Sequence, residues 1–389
     1  MNNAKLTKIL FFQKILPKIK ILFTEIILSM KSVDNGWLSV NLIFTVLIFG
    51  GILLVYTSNE FPPQKVQILI LIPLLIPFFL LLNIFLIFLN SFKKNHYKAI
   101  IFFLLLLFGG FKYFGRTFQL SLHKKDGEQI KIASYNVRVF SAYHKKGEQK
   151  IKQSQNSINW IKKSGAQIVC IQEFYTNNTI EELNTIKIFK KNYPNNRIIP
   201  YYDIPPQKLG LAILSKYKII KSGEVKFTSS TFNQAMFADI KINKNKTLRV
   251  YNVHLQSMNI DQKIFTGSEF EKELLFSSIK KYKRGALERA EQLKQILKHI
   301  NNSPYPAIIC GDFNDVPYSY VYEQFRNHFK NGFEEKGDGF GFTYSSKYSF
   351  LRIDNIFASK QIKFINFKTH DSVWGSDHFP ISADVFIEN

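Results

Sequence analysis

Two long runs without a charged residue constrain this chain most, because each is long enough to cross a lipid bilayer. Residues 38–56 form an uncharged run of 19 residues, and residues 66–89 form one of 24. A helix needs about 17 to 25 largely apolar residues to span the hydrocarbon core. Pro73 and Pro77 interrupt the second run, but membrane helices tolerate prolines where neighbouring groups satisfy the freed backbone. Both runs are too long and too uniformly apolar for a core helix, so we expect two transmembrane helices.

A third apolar run is shorter and leaves two interpretations open. Residues 99–111 contain 13 uncharged residues, and they span a bilayer only if residues 97–98 and 112–114 join them, with the lysines reaching the interfaces. The alternative is a re-entrant or interfacial segment. We expect a span, which gives a membrane region of about three transmembrane helices at residues 38–114.

The distribution of lysines predicts the topology. Residues 1–37 contain six lysines among apolar residues and are typical of a basic amphipathic segment on a membrane surface. The 57–65 loop contains one lysine and the 90–98 loop three. Basic loops stay in the cytoplasm, so three spans make this a multi-pass protein of the cytoplasmic (inner) membrane, with the rest of the chain on the outer, periplasmic face. Two spans would reverse that side.

The overall charge is strongly positive, at +23 for 389 residues. A basic surface favours polyanions such as nucleic acid, anionic lipid head groups and phosphorylated small molecules. A general richness in lysine explains the same charge equally well. The two cysteines, Cys170 and Cys310, are too few for a disulfide framework or a zinc site.

Beyond a predicted polar linker at 115–129, the pattern changes to short β-rich runs that alternate with amphipathic helical ones, over residues 130–387. This alternation predicts a layered α/β sandwich. Residues 257–284 are mixed and charged, and we expect either a surface loop or lid near the site or a plain insertion. The best helices are 151–163 and 285–300. Strands are predicted at 130–137, 168–172, 210–215, 235–242, 248–255, 307–311, 353–358 and 381–386.

Polar side chains gather at the ends of these predicted strands. A single carboxylate at such a place is usually a cap or turn residue, but buried carboxylates are costly unless they are paired or bind a metal. Strand ends are also where α/β sheets present their sites. Eight residues share this placement: Asn136, Glu173, His254, Asp312, Asn314, Asp354, Asp377 and His378.

The residue types in this set indicate metal-assisted phosphoryl chemistry. Carboxylate and amide oxygens suit Mg²⁺ or Mn²⁺ and argue against zinc. The histidines can donate hydrogen bonds to a phosphate and move protons. A nucleophilic serine triad is the competing chemistry, but the sequence contains no Gly-x-Ser-x-Gly elbow.

At these residues the chain resembles the endonuclease/exonuclease/phosphatase superfamily, which includes pancreatic-type deoxyribonuclease, apurinic endonucleases, inositol polyphosphate 5-phosphatases and bacterial sphingomyelinases. The resemblance runs from about residue 130 to 386 and implies a four-layer α/β sandwich. Each short string is weak alone, but their order and spacing together are specific. The strings lie at 134–138, 172–173, 210–216, 252–255, 311–314, 341–344, 352–357 and 376–378.

The resemblance also implies roles for the site residues. Glu173 is expected to be the principal metal ligand, helped by Asn136 and Asp377. Asp312 and Asn314 are expected to position or activate the attacking water and hold the phosphate.

The two histidines and one arginine complete the implied site. His378 is expected to contact the phosphate or act as general base, oriented by Asp354. His254 is expected to contact the phosphate and to serve as a general acid, a feature shared with the deoxyribonuclease and sphingomyelinase branches. Arg138 either binds the substrate phosphate or is simply solvated.

We therefore predict a membrane-anchored, Mg²⁺- or Mn²⁺-dependent phosphoester hydrolase, acting as a phosphodiesterase or phosphatase through activated water. Its substrate is a lipid head group, an inositol phosphate or nucleic acid. A nuclease is the alternative that the positive charge favours. A non-catalytic membrane scaffold is the alternative of another class, and the intact set of site residues argues against it. No obligate protein partner is evident from the sequence.

Overall fold

The computed structural model describes residues 36–120, 129–142, 148–228, 233–258, 272–345 and 350–388. Most of the predicted basic segment 1–37 therefore lies outside the described residues. The chain divides into two compact units, Met1–Leu53 and Leu54–Asn389. In the first unit the described residues belong to helix α1, Gly36–Thr57, whose last residues fall in the second unit.

Three helical stretches are long and apolar enough to cross a membrane, judged by length and composition within the described residues: Ile43–Glu60, Gln67–Phe92 and His96–Thr117. The second begins as a 3₁₀ turn, Gln67–Leu75, that contains Pro73, and continues as α2, Ile76–Phe92. The third joins α3, His96–Leu105, to α4, Phe111–Thr117, through a π-helical stretch, Leu106–Gly110. The prediction of three apolar helices before the α/β region at 130–387 is confirmed.

The third stretch shows why the 13-residue run underestimates the helix. The helix extends beyond the uncharged residues at both ends, to His96 and Thr117, and so reaches 22 residues.

Large apolar side chains on the second stretch face outward: Phe78, Leu81, Phe85 and Phe88 are each more than half exposed. Such a surface is suited to lipid contact.

Two six-stranded mixed sheets lie at the centre of the part that the structure describes from residue 129 onward. The first has the order β11-β12-β1-β2-β4-β3, with β1 and β2 parallel. Its strands are β1 Ile130–Asn136, β2 Ile168–Asn177, β3 Asn195–Ile204, β4 Gln207–Ser215, β11 Ile362–Thr369 and β12 Ile381–Ile387.

The second sheet has the order β5-β6-β7-β8-β10-β9, with β7 and β8 parallel. Its strands are β5 Lys218–Val225, β6 Gln234–Lys241, β7 Thr247–His254, β8 Ala307–Asp312, β9 Lys330–Asn331 and β10 Asp354–Ala358.

Side-chain alternation builds the layers. On β8, Ile308 and Cys310 enter the core between the sheets, whereas Ala307 and Ile309 enter the core beneath the helices, as the period of two requires. Helices α5 (Glu148–Lys163) and α6 (Thr185–Lys190) flank the first sheet. The described residues also form α7 (Lys272–Asn301), α8 (Tyr320–His328) and α9 (Gly332–Lys336). The predicted four-layer α/β sandwich is confirmed, and Cys170 and Cys310 are buried free thiols in its inner core.

At two places the helices extend beyond their predicted bounds. Helix α7 starts at Lys272, so the later part of the predicted 257–284 loop is helical, and residues 259–271 lie outside the described residues. The charged residues there form a solvent face, while Tyr282 and Ala286 pack inward. The predicted linker 115–129 also begins later, because helix α4 continues to Thr117 and the backbone of Gln119 pairs with that of Gly339.

Candidate active site

The backbone register of the second sheet brings three predicted site residues side by side. Asp312 ends β8 and lies opposite His254 on β7 and opposite Asp354 on β10. Gly311 makes this close approach possible. Its φ of +148° is left-handed, and a Cβ there would lie 1.9 Å from the carbonyl oxygen of Val253.

Asn136 connects the two sheets. It ends β1, is almost fully buried, and its Nδ2 lies 3.1 Å from both Glu173 Oε1 and Asp312 Oδ2. Glu173 lies within a register shift of β2, between Ile171 and Phe174, and has a φ of +50°. A non-glycine residue in this conformation is strained, and here the bulge places its carboxylate beside Asn136.

Both predicted histidines face the same carboxylate oxygen. The Nε2 atoms of His254 and His378 each lie 3.7 Å from Asp312 Oδ2, and His254 Nε2 is 3.9 Å from Glu173 Oε1. These separations exceed a hydrogen bond, so both Nε2 atoms remain available to a substrate oxygen. On its other side, the His378 ring is held by Asp354, whose Oδ2 lies 2.9 Å from Nδ1.

The electrostatics of this pair follow from its surroundings. Burial lowers the pKa of His378, but the carboxylates of Asp354 and Asp312 outweigh that effect and raise the pKa to about 10. Burial raises the pKa of Asp354, and the charge of His378 opposes part of that rise. The Asp354 carboxylate thus favours the protonated form of His378, in which Nδ1–H donates to Asp354 Oδ2.

Asn314 is fixed beneath Asp312 by two hydrogen bonds. Its backbone N–H donates to Asp312 Oδ1 over 2.8 Å, and its Nδ2 donates to the carbonyl of Leu255 over 3.0 Å. Its φ of +50° allows this tight turn. The structure thus places Asn314 where it orients the Asp312 carboxylate.

Asp377 and Arg138 lie together on the more exposed side of the site. The Asp377 carboxylate is 3.4 Å from Arg138 Nε, and both side chains are partly exposed. Ser376 ties this pair to the site, because its Oγ donates to the carbonyl of Asn136 over 2.7 Å. Of the three predicted metal ligands, Asp377 therefore pairs with Arg138, whereas Glu173 and Asn136 contact each other. The roles predicted for these residues stay predictions.

Sequence reasoning assigned no role to Thr343 and Tyr344. The Thr343 Oγ1 accepts hydrogen bonds from the backbone N–H groups of Ile353 and Asp354, at 3.0 and 3.1 Å. The Tyr344 ring meets the His378 imidazole edge to face, with centroids 5.3 Å apart. The family-like string at 341–344 was the available signal, but it carries no carboxylate, imidazole or thiol that would have indicated catalysis.

A buried amide pair beneath the site was also missed. Gln172 Nε2 donates to Asn252 Oδ1 over 2.6 Å, and Asn252 Nδ2 donates to the carbonyls of Ile171 and Ala212 over 2.9 Å each. These bonds connect the two sheets directly below Glu173 and His254. Because these hydrogen bonds join buried groups of the two sheets, they fix the spacing between the layers, although Gln172 Oε1 is buried without a partner in the described part of the chain.

The residues present fit a hard divalent cation. Glu173, Asp312 and Asp354 bring three carboxylates into one cleft, and Asp354 Oδ1 is buried without a hydrogen-bond partner in the part of the chain that the structure describes. Potential ligand atoms of Asp312, Asp354 and His378 lie within 4.8 Å of one another. The His378 Nδ1 is already engaged by Asp354, however, so Glu173 and Asp312, on either side of Asn136, are the better oxygen donors.

Comparison with known proteins agrees with this architecture. Residues 133–378 match the model of the Endonuclease/Exonuclease/phosphatase family. No curated protein sequence matches the chain.

Several solved structures are similar to it in fold. An endonuclease/exonuclease/phosphatase from Beutenbergia cavernae is 14% identical with a TM-score of 0.50, over 68% of this chain and 72% of that one. The human Nocturnin catalytic domain with bound sulfate is 15% identical with a TM-score of 0.48, over 69% and 96%. A mannosyl-6-phosphatase from Bacteroides thetaiotaomicron is 16% identical with a TM-score of 0.47, over 66% and 100%. The family match spans more than half of the chain, and the chain therefore belongs to the endonuclease/exonuclease/phosphatase family.

Proposed function

We propose that this protein is a membrane-anchored, divalent-metal-dependent phosphoester hydrolase that uses an activated water as nucleophile. Family membership implies phosphoester hydrolysis. The observation that supports the activated water is the set of atoms around Asp312 Oδ2. Asn136 Nδ2 lies 3.1 Å from this oxygen, and the Nε2 atoms of His254 and His378 each lie 3.7 Å from it.

Asp312 is the group best placed to bind the attacking water. It is buried, its Oδ1 accepts the N–H of Asn314, and its Oδ2 faces the cleft between the histidines. An ionised carboxylate only accepts hydrogen bonds, so a water beside it points its lone pair away toward the substrate.

His378 and His254 flank the place where the phosphate would lie. Asp354 fixes the direction of the His378 ring and favours its protonated form, so that Nε2–H can donate to a phosphoryl oxygen. The raised pKa of His378 favours its protonated form, which supports the phosphate-contact role for this residue over the general-base role. His254, between Glu173 and Asp312, can donate a proton to the leaving oxygen.

Glu173 and Asp312 would hold the cation through their carboxylate oxygens, and Asn136 between them orients both. The Glu173 side chain is about 30% exposed and so is open to the cleft, and Asn136 fixes its orientation. A bound Mg²⁺ or Mn²⁺ polarises a phosphoryl oxygen and offsets charge on the leaving oxygen. Arg138, partly exposed beside Asp377, is positioned to contact a substrate phosphate at the rim.

The membrane anchor is supported by the three apolar helices, and the lysine bias of the loops supports an outer-face location for the active site. The net charge of +23 keeps a nuclease as the second candidate, because a basic chain attracts a polyanionic backbone.

A substrate panel tests the proposal. The full chain in detergent would be incubated with DNA, RNA, phospholipids and inositol phosphates, with Mg²⁺ or with a chelator. We expect hydrolysis of at least one class that needs the cation and is lost in Glu173→Gln but kept in Glu181→Gln, whose glutamate is exposed and lies away from the site. Full activity in chelator would contradict the metal assignment, and hydrolysis confined to DNA or RNA would select the nuclease.

A further inference from the structure

Four phenylalanine rings form a continuous aromatic surface on the second unit: Phe118, Phe340, Phe342 and Phe350. Successive ring centroids are 5.1, 5.4 and 6.0 Å apart. Phe118 is 43% exposed, Phe340 50% and Phe350 73%, and the half-buried Phe342 joins Phe340 to Phe350. A contiguous group of exposed aromatic rings is unusual on a surface that meets only water, and it marks a contact site.

The third membrane-long helix leads directly into this aromatic surface. Phe118 is the residue after Thr117, the last residue of that stretch. On the same stretch Phe111 is 66% exposed, and Leu120 beyond it is 82% exposed. Aromatic rings at the end of a transmembrane helix lie in the interfacial region of the bilayer, so continuity with the span identifies lipid as the occupant.

A buried ion pair fixes the catalytic domain on the end of this helix. Arg116 Nη1 lies 2.6 Å from Glu323 Oε2, and both residues are almost fully buried. The backbone carbonyl of Arg116 accepts a hydrogen bond from Arg352 Nη2 over 2.9 Å. Gln119 and Gly339 exchange two backbone hydrogen bonds of 2.9 Å. The aromatic surface therefore keeps one position relative to the span.

The aromatic surface also borders the active site. Thr343, the residue after Phe342, binds the N–H of Asp354, and Tyr344 packs on His378. Ile70, from the second membrane-long stretch, belongs to the same buried cluster as Ile353, and Tyr344 packs against that cluster. Apolar residues of the membrane region thus lie one layer of side chains from the proposed phosphate site.

We infer that the aromatic surface rests in the interfacial region of the bilayer and brings the rim of the active site to the membrane, so that the substrate is a phosphoester in a lipid head group. This inference rests on the membrane anchoring in the proposed function and deepens it. Burial of apolar rings at the interface stabilises such contact.

Lipid quenching tests the surface without any need for activity. In the full chain, Phe350→Cys would be labelled with an environment-sensitive fluorophore and reconstituted into vesicles of phosphatidylethanolamine and phosphatidylglycerol with a nitroxide near the head group. The native cysteines are buried and stay unlabelled in the folded protein. Phe88→Cys, in the second membrane-long stretch, and Phe386→Cys, at the end of β12 far from His378, serve as matched exposed aromatic positions.

We expect quenching at position 350 and at 88 but not at 386. Quenching at 88 without quenching at 350 would overturn the inference while leaving the anchor intact, and it would also be the result if a second copy of the chain covered the surface. Absence of quenching at both would refute the membrane anchoring, and the inference with it.

A hydrolysis comparison tests the substrate class. In the double variant Phe340→Ser/Phe350→Ser, hydrolysis of vesicle phospholipid should fall by about tenfold or more, while hydrolysis of a soluble glycerophosphoester stays within about twofold. An equal loss on both substrates, or no loss on vesicles, would overturn the assignment to lipid.

Discussion

The hydrogen bond between Asp354 and His378 provides the sharpest test of the active site. It joins two buried side chains over 2.9 Å, and Thr343 fixes the Asp354 backbone behind it. Since Asp354 Oδ2 is bonded to the His378 imidazole, we infer that Asp354 acts on the reaction through the orientation and charge of that ring. Asp354→Asn keeps the size of the side chain but removes the charge and changes the acceptor.

The expected magnitudes follow from those contacts. His378→Ala should lower kcat by about 10²- to 10⁴-fold, the range for a positioned proton-transferring or phosphate-binding group. Asp354→Asn should cost about 10- to 10³-fold, because Nε2 remains but its tautomer and charge are no longer held. The double variant should lie within about threefold of His378→Ala alone, since residues that act as a unit are not additive.

The assay is initial-rate kinetics at saturating cation on the best substrate of the panel. His299→Gln, at a histidine near the far end of helix α7, is the matched control and should keep its kcat within about twofold. Thermal unfolding of each variant checks that the fold is intact. If the two losses multiply in the double variant, Asp354 does not act through His378 and the orientation argument is refuted.

Three further outcomes are expected. Glu323→Ala leaves Arg116 buried without its partner and should lower the free energy of unfolding by about 3 to 5 kcal/mol. Glu291→Ala, at an exposed pair, should change that free energy by less than about 1 kcal/mol. Equal thermal shifts in the two variants would contradict the fixed attachment of helix α4 to the rest of the second unit. Burial and the nearby Lys368 and Lys131 lower the pKa of His370 to about 4. The unfolded chain therefore binds more protons between about pH 6.5 and 4, and the free energy of unfolding should fall by on the order of 2 kcal/mol over that range. In a pH series of unfolding midpoints, His370→Gln should show a smaller fall. An alkaline phosphatase fused after Asn389 should be active and a cytoplasm-only fluorophore dark, because the basic loops keep the N-terminus inside; the reverse pattern would place the enzyme in the cytoplasm.

The strands that sequence patterns predict are the inner ones. All eight predicted strands exist, and the four that were missed, β3, β5, β9 and β11, are the edges of the two sheets. Edge strands are only half buried and carry charged residues, so their apolar alternation is weak. Inner strands are buried on both faces and show continuous apolar runs.

That the candidate site residues would lie near one another was predictable, because strand ends concentrate them, but their individual partners were not. The register that sets Asp312 opposite both His254 and Asp354 depends on pairing between strands distant in sequence. The pairing of Asp377 with Arg138, and of Arg116 with Glu323, likewise comes from tertiary packing. A single sequence indicates which residues carry chemistry, whereas the fold decides which of them meet.

Cation binding at Glu173 tests the central proposal most directly. Free Mn²⁺ would be titrated into the full chain, Glu173→Gln and Glu181→Gln, with binding followed by electron paramagnetic resonance and hydrolysis measured in the same samples. We predict that the full chain and Glu181→Gln bind Mn²⁺ and hydrolyse substrate in proportion to occupancy, and that Glu173→Gln loses both. Unchanged Mn²⁺ binding in Glu173→Gln, or full hydrolysis by the chelated full chain, would contradict a metal-dependent centre at this cleft.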